Sequence, residues 1–283
     1  MPATRKRRAV NKAAETVPFW YHSIDLFDGI ASSGQKKADE LARDWAALGV
    51  PDLRGKSVLD VGAWDGYFSF RAEEAGAERV VALDHYAWSI DFARQQDYLD
   101  ECKFNGVAPA PFHTMPSMWK PDELPGKVGF DTAHRARDSK VESVVGEFMT
   151  MDLDRLGRFD VVFYVNGFSR TRHPLLALER LAKVTNQVLL VQTEAVVVPG
   201  FEHKSFCEFF ETNELKADMG LWWAPNRRAL TGMCRAVGFT KVESRDDARS
   251  RPPRNDALHR YPLVLRAWKG GPSAAPTGPP PPD

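Results

Sequence analysis

Apolar runs of strand length alternate with stretches of helical period over most of this chain. Ser57–Val61, Arg79–Leu83, Val141–Val145, Phe159–Val165, Gln187–Val198, Phe239–Glu243 and Leu263–Trp268 predict strands. Helical stretches fall between most of them, at Tyr67–Ala75, Pro174–Lys183 and Asn226–Val237, the last stopped by Gly238. Ahead of them, Gln35–Leu48 reads as an amphipathic helix. Ala38, Leu41, Ala42, Trp45 and Leu48 share one face, and Gly49 and Pro51 end it. Buried-type strands alternating with helices predict an α/β fold, a mostly parallel sheet with helices on both faces.

Two connections are too long for a simple crossover. In residues 85–140, Asp91–Lys103 reads as helical, and Asn105–Gly129 carries Pro109, Pro111, Pro116, Pro121 and Pro125 and reads as irregular. Residues 199–225 are rich in Phe and Trp. Long irregular insertions beyond strand ends are more often lids or binding loops than idle chain. Residues 1–17, with Arg5-Lys6-Arg7-Arg8, are expected to form a disordered basic tail. The segment Phe19-Trp20-Tyr21-His22-Ser23-Ile24-Asp25 is too aromatic for an exposed tail and should dock. Residues 270–283 are Pro-rich and of low complexity, and disorder is expected there too. One domain over 18–269 remains.

Composition narrows the classes. Hydrophobic residues make up 43% of the 283, enough for a sizeable core. The 38 basic and 38 acidic side chains balance, so the chain lacks the bulk basic excess of a phosphate-tracking surface, although a local patch stays allowed. Cys102, Cys207 and Cys234 form no CxxC and suit reduced thiols in a cytoplasmic protein. Neither a membrane-spanning run nor a secretory h-region is seen. No His-x-x-x-His or Glu-rich cluster is present, so no metal site is expected. A dinucleotide fingerprint, a P-loop lysine and a Gly-x-Ser-x-Gly elbow are all missing.

The candidate chemistry starts at Val58–Gly66. An apolar run ending in Asp60 meets a turn with Gly62 and Gly66, and a helix follows, which is the form of a first βα turn over which a nucleoside cofactor sits. Gly62 allows close approach of a ligand and Gly66 tight packing. Asp84 ends the second strand and can accept both hydroxyls of a ribose, or can cap the next helix. After the third strand, Glu147 and Phe148 could flank an adenine. The turn is poor in glycine, which favours a bare nucleoside over a pyrophosphate cofactor, and S-adenosyl-L-methionine (SAM) is such a molecule.

The ordered set VLDVGAWDG, VVALD, VVGE, FDVVFY, RHPLLALERLAKV and WWAPN…GMCRAVGF resembles the class I SAM-dependent methyltransferases, in particular the branch that includes the tRNA wobble-uridine carboxymethyltransferases, over roughly residues 19–268. The resemblance implies a seven-stranded Rossmann-like sheet with a reversed final hairpin. It implies that Gly62 lies against the methionine part of SAM and that Asp84 holds the ribose with His85 and Tyr86 beside it. Glu147 and Phe148 would frame the adenine, Asn166 would lie near the sulfonium, and Trp45 would stand at the cofactor pocket. The chain departs from the branch at Gly167-Phe168-Ser169-Arg170-Thr171-Arg172-His173-Pro174, which lacks a tyrosine that helps to bind the extra carboxylate of carboxy-SAM. Pro262 stands where an arginine does the same, although Arg260 is near. Ordinary SAM is therefore expected.

The acceptor side is less defined. Trp20, Tyr21, Tyr86, Trp88, Trp222 and Trp223 either pack the core or line a π-rich pocket, with Trp222-Trp223 before Asn226 the preferred part of such a pocket. Arg170 and Arg172 either grip an acceptor carboxylate or lie in a solvated loop. His85, His173, His203, Glu194 and Asp25 are candidate bases without diagnostic spacing; His173, Arg170 and His85 are the favoured catalytic set. A methyltransferase of small molecules, such as those of specialised metabolism, is the expected function. Aminocarboxypropyl transfer, tRNA modification and a non-catalytic SAM-fold binding protein are alternatives, and a homo-oligomer is allowed.

Overall fold

A computed structural model describes residues 3–216, 218, 220–245 and 258–270. The chain opens with helix α1 (Ala3–Glu15), where a disordered tail was expected. Alanine, lysine and arginine are good helix formers. Val10 is buried, Trp20 Nε1 donates to the Ala14 carbonyl at 3.0 Å, and the Lys6 ammonium lies 4.4 Å from the centre of the Phe27 ring. A few anchors thus hold a helix whose charge pattern resembles that of a tail. The hairpin β1 (Asp25–Phe27) and β2 (Ile30–Ala31) and helix α2 (Ala38–Leu48) follow.

Next come β3 (Ser57–Val61), α3 (Tyr67–Glu74) and β4 (Arg79–Asp84). The connection over 85–140 holds α4 (Tyr86–Ser89), α5 (Phe92–Asn105) and α6 (Val128–Arg137) before β5 (Glu142–Val145). Helix α6 lay partly in the stretch read as irregular. Pro125, Gly126 and Gly129 hide its start, and close packing explains both glycines. A Cβ on Gly129 would stand 2.5 Å from Asp65 Oδ1, and one on Gly126 would run into the Ala87 carbonyl. The chain continues through β6 (Phe159–Val165), α7 (Pro174–Val184), β7 (Thr185–Val197), β8 (Cys207–Phe209), β9 (Trp223–Pro225), α8 (Arg227–Ala236), β10 (Lys241–Arg245) and β11 (His259–Trp268).

Seven strands form one sheet in the order β10-β11-β7-β6-β3-β4-β5. The pairs β3–β6, β6–β7 and β4–β5 are parallel, and β11 runs antiparallel to both β7 and β10. The reversed final strand is the one expected. The order reverses between β3 and β6, and in open α/β sheets ligands sit beyond the carboxyl ends of strands at such a reversal.

The chain divides into two compact units. The first takes the chain up to Ala46, Asp52–Gly55 and Gly62–Phe148; its core includes Phe70, Val81, Leu83, Trp88, Phe130 and Ala133. The second takes Ala47–Pro51, Lys56–Val61 and the chain from Met149 on; Leu189, Leu190, Val191, Leu178 and Leu181 are fully buried in it. Within the second unit the 199–225 connection is more than a loop. Antiparallel β8 and β9 accompany a small core of Val196, Phe210, Leu215, Leu221 and Ala224. The Pro-rich end after Gly270 lies outside the described residues.

Candidate functional site

In the first unit the turn after β3 keeps its backbone open. Gly62 has φ +84°, and a Cβ there would meet nothing within 4 Å. Gly66, at φ +88°, is closed in: a Cβ would come within 2.8 Å of the Phe70 and Phe130 rings. Only glycine fits the second position, while the first leaves room for a ligand. Between them Trp64 holds a left-handed φ of +50°, which is uncommon for a bulky residue. Its ring stacks on Tyr21 (4.1 Å, 9°) and on Phe92 (5.5 Å, 11°).

Asp84 is 6% exposed. Its Oδ2 accepts from the Trp64 amide at 2.9 Å and its Oδ1 from the Ala87 amide at 3.0 Å. Burial raises its pKa, and the backbone bonds oppose the rise. Two carboxylate oxygens offer about four acceptor sites, so these bonds orient the group without exhausting it. Asp84 thus accepts from the first turn of α4, the plainer of its two readings, with a further backbone bond from His85. The ends of β4 and β5 are tied by the Gly146 amide donating to the Asp84 carbonyl at 3.1 Å. This brings His85 Nδ1 to 3.6 Å from Glu147 Oε2. That nitrogen is buried without a hydrogen bond. Tyr86 is half-exposed beside it and Phe148 is buried.

Asp65 escaped the sequence reading. It is 1% exposed, and its Oδ2 accepts the Tyr21 amide at 2.7 Å and the His22 amide at 2.9 Å. Burial pushes its pKa up to about 7, against those two bonds and with a contribution from Asp84. Burial, with Lys36 nearby, pushes His22 down to about 3. The 3.9 Å approach of His22 Nδ1 to Asp65 therefore involves a neutral imidazole. Asp65 pins the aromatic segment after α1 and thereby sets Tyr21 on Trp64. A lone acid inside a glycine turn carries no periodic signal that would single it out.

Trp45 is half-buried on α2 with the Arg71 guanidinium 5.5 Å over its ring. Trp88 belongs to the core and does not line an acceptor pocket. It is fully buried, and its Nε1 donates to the Trp64 carbonyl at 2.7 Å.

In the second unit Asp60 is buried at the end of β3, in register with Phe163 of β6. Asn166 turns the chain after β6 at φ +59°, its amide donating to the Gln192 carbonyl at 2.7 Å. Arg170 donates to Asp218 at 2.8 Å, so one of its guanidinium faces is spent on a carboxylate of this chain. Arg172 lies 4.9 Å over the Trp222 ring, and the Trp222 amide donates to the Ser169 carbonyl at 2.7 Å. Trp222 and Trp223 are half-buried. His173 is exposed at the start of α7, the plainer of its two readings.

Asn226 caps α8. Its Oδ1 accepts from the Ala229 amide at 2.8 Å, and its Nδ2 donates to the Lys204 carbonyl at 2.6 Å. Arg260 is held by Glu208, with Nε to Oε2 at 2.9 Å, and covers Phe210 at 5.2 Å. Among the described residues no group of three or more His, Cys, Asp or Glu is placed to hold a metal ion, and no helix is long and apolar enough to cross a membrane.

No protein-family model matches the chain. Over 199 residues it is 28% identical to a tRNA U34 carboxymethyltransferase of Pseudomonas fluorescens (strain Pf0-1), covering 69% of this chain and 49% of that protein. The protein of the same name from Pseudomonas putida (strain W619) is 26% identical over 202 residues, with the same coverage. The chain thus spans about half the length of the curated relatives it matches. Among solved structures, the N-terminal domain of EvdMO1 with S-adenosylhomocysteine (SAH) bound superposes with a TM-score of 0.57 at 18% identity, over 93% of this chain and 97% of that one. Whole EvdMO1 gives 0.56 at 16% identity, over 93% and 48%.

Proposed function

We propose that this chain, which has the class I SAM-dependent methyltransferase fold, binds SAM and transfers its methyl group to a small-molecule acceptor. The observation that carries the reading is the state of the first unit's polar groups. Gly62 has open space above it, and Asp84 is oriented by backbone bonds with acceptor sites to spare. His85 and Glu147 stand together at the neighbouring strand ends. These are groups that fit a methionine backbone, a ribose and an adenine. Bound SAM supplies a methyl carbon already activated by its sulfonium, so the protein's share is alignment and exclusion of water.

Ordinary SAM, rather than a carboxylated form, is favoured by Arg260. The nearest arginine to the missing carboxylate grip is already paired with Glu208. Balanced charge favours a small acceptor over a polyanion, and we read that acceptor as a product of specialised metabolism. The free Cys102, Cys207 and Cys234 fit a reducing, cytoplasmic setting. The test is mass spectrometry of cofactor by-products with a panel of acceptors. A methyl gain with SAH formed supports the reading, and methylthioadenosine with a larger gain points to aminocarboxypropyl transfer. No SAH binding by calorimetry sinks it.

The curated relatives favour a second reading, tRNA modification. Helix α1 carries Arg5, Lys6, Arg7 and Arg8 and would supply phosphate contacts. It requires tRNA binding that weakens steeply as salt rises.

A further inference from the structure

The 85–140 connection contains a residue that no sequence motif marked. Trp119 is half-buried and stands among three rings from two places in the connection. Its centroid is 5.5 Å from His85 at 78°, 5.2 Å from Tyr86 at 47°, and 6.4 Å from His113 at 80°. His85 in turn lies against Glu147.

The position is fixed from both sides. The Asp91 amide donates to the Met118 carbonyl at 2.8 Å, and the Lys120 amide donates to the Ser89 carbonyl at 2.8 Å. Ile90 and Trp119 form an antiparallel bridge, and Lys120 Nζ reaches the Asp91 carboxylate at 3.0 Å. Residues 118–120 are therefore strapped to the chain just after α4. Backbone pairing of this kind holds a side chain to one place, as a free loop could not. Beneath it, Trp119 rests on the small cluster of Ala87, Ile90 and Phe92.

We propose that residues 118–120 are a cofactor-binding strap, with Trp119 and Tyr86 forming an aromatic wall for the purine base of the nucleoside. The inference rests on the SAM reading above and adds to it a wall supplied by the insertion. The chemistry is complementary. A purine is flat and gains from contact with an indole or a phenol ring. Glu147 supplies a carboxylate acceptor for an exocyclic amino group at the same edge. The insertion then serves the cofactor, and the acceptor is met elsewhere.

The experiment compares SAH with S-inosylhomocysteine, which carries an oxo group where adenine carries its amino group, by calorimetry on the full chain. Trp119→Ala should weaken SAH about tenfold and the inosine analogue by the same factor, because contact with a ring face does not depend on the amino group. Trp119→Phe should recover most of the loss. Trp119→Leu, which keeps apolar packing on the cluster beneath but has no ring, should stay weak, and its thermal midpoint reports whether the fold is kept. Glu147→Gln should weaken SAH while leaving the inosine analogue nearly unchanged. SAH binding by Trp119→Ala and Trp119→Leu within twofold of the wild type overturns the inference alone. Wild-type protein that binds no SAH overturns the SAM reading, and this inference with it.

Discussion

The strand ends of the first unit and the 166–226 region of the second contain similar side chains in opposite states. Around β4 and β5, Asp84 keeps acceptor sites, and His85 Nδ1 is buried without a hydrogen bond. In the second unit the candidate charged and amide side chains are consumed by the chain itself, although Gln192 Oε1 and Trp223 Nε1 are buried there without a hydrogen bond. Arg170 meets Asp218, Arg260 meets Glu208, Lys216 meets Glu194, and the Asn226 side chain binds three backbone groups. A polar group that a fold leaves partly satisfied is open to a ligand, whereas one it satisfies is explained by the fold. The difference sets the proposed nucleoside site apart from a region where most candidate side chains are paired within the chain.

The largest effect expected from this contrast is at Asp84. Asp84→Ala removes the proposed ribose acceptor and leaves the Trp64 and Ala87 amides without theirs. SAH affinity measured by calorimetry should fall by at least a hundredfold, on the order of 3 kcal/mol. Asp84→Asn keeps an acceptor for one amide and should fall less. Equal SAH affinity in Asp84→Ala and wild type would erase the distinction between the two units.

Asn226→Ala should do the reverse. A buried helix cap with further backbone bonds is lost, so the urea midpoint should drop, at a cost of about 2 kcal/mol. SAH affinity, extrapolated to fully folded protein, should not change.

The fold was legible because its signals are periodic. Apolar strands, helix stops and the VLDVGAWDG turn announced the seven strands to within a few residues, and the reversal at the last pair was implied by the family resemblance. What stayed hidden has no period. Helix α1 rests on Val10 and Trp20 under a basic surface, and α6 begins at Pro125 and Gly126, residues that elsewhere mark loops. In the candidate site, Asp84, His85 and Glu147 were readable because they end strands. Trp119 and Asp65 are placed by contacts with residues 33 and 43 or more positions away in sequence, Trp119 with Tyr86 and Asp65 with His22. Trp88 packs in the core and Asn226 caps α8, and in sequence an aromatic or an amide near a motif looks the same whether it packs or binds.

Asp65 sharpens the first unit's side of the comparison through pH. Its folded pKa of about 7 stands above the ordinary 3.8, so the folded protein holds a proton that the unfolded chain has released. That contribution favours folding at low pH and is lost as pH rises from about 4 through 7. His22 acts oppositely: its folded value of about 3 lies below 6.5, so its contribution is gained as pH rises across about 3 to 6.5. The two slopes oppose each other in the wild type. Asp65→Asn can still accept the Tyr21 and His22 amides but no longer titrates. Its urea midpoint should therefore rise more steeply than the wild type's between about pH 4 and 6.5. Parallel midpoint–pH curves for the two proteins would rule out a protonated Asp65.

The smallest effect belongs to Arg170, where the two regions are told apart most finely. Its pair with Asp218 is more than a third exposed on both sides, and pairs of that kind are worth about 0–1 kcal/mol. Arg170→Ala should leave the thermal midpoint within about a degree or two of the wild type and SAH affinity unchanged. If Asp218 already satisfies the guanidinium, KM for an identified acceptor should change less than about threefold, under 1 kcal/mol. If Arg170 leaves Asp218 to grip an acceptor carboxylate, KM should rise about tenfold or more at constant kcat, as for a lost charge-assisted bond. Asp218→Asn distinguishes these outcomes further. It removes the Asp218 pair, so a gripping Arg170 should bind a carboxylate acceptor more tightly in that variant, and an Arg170 that only packs should show no change.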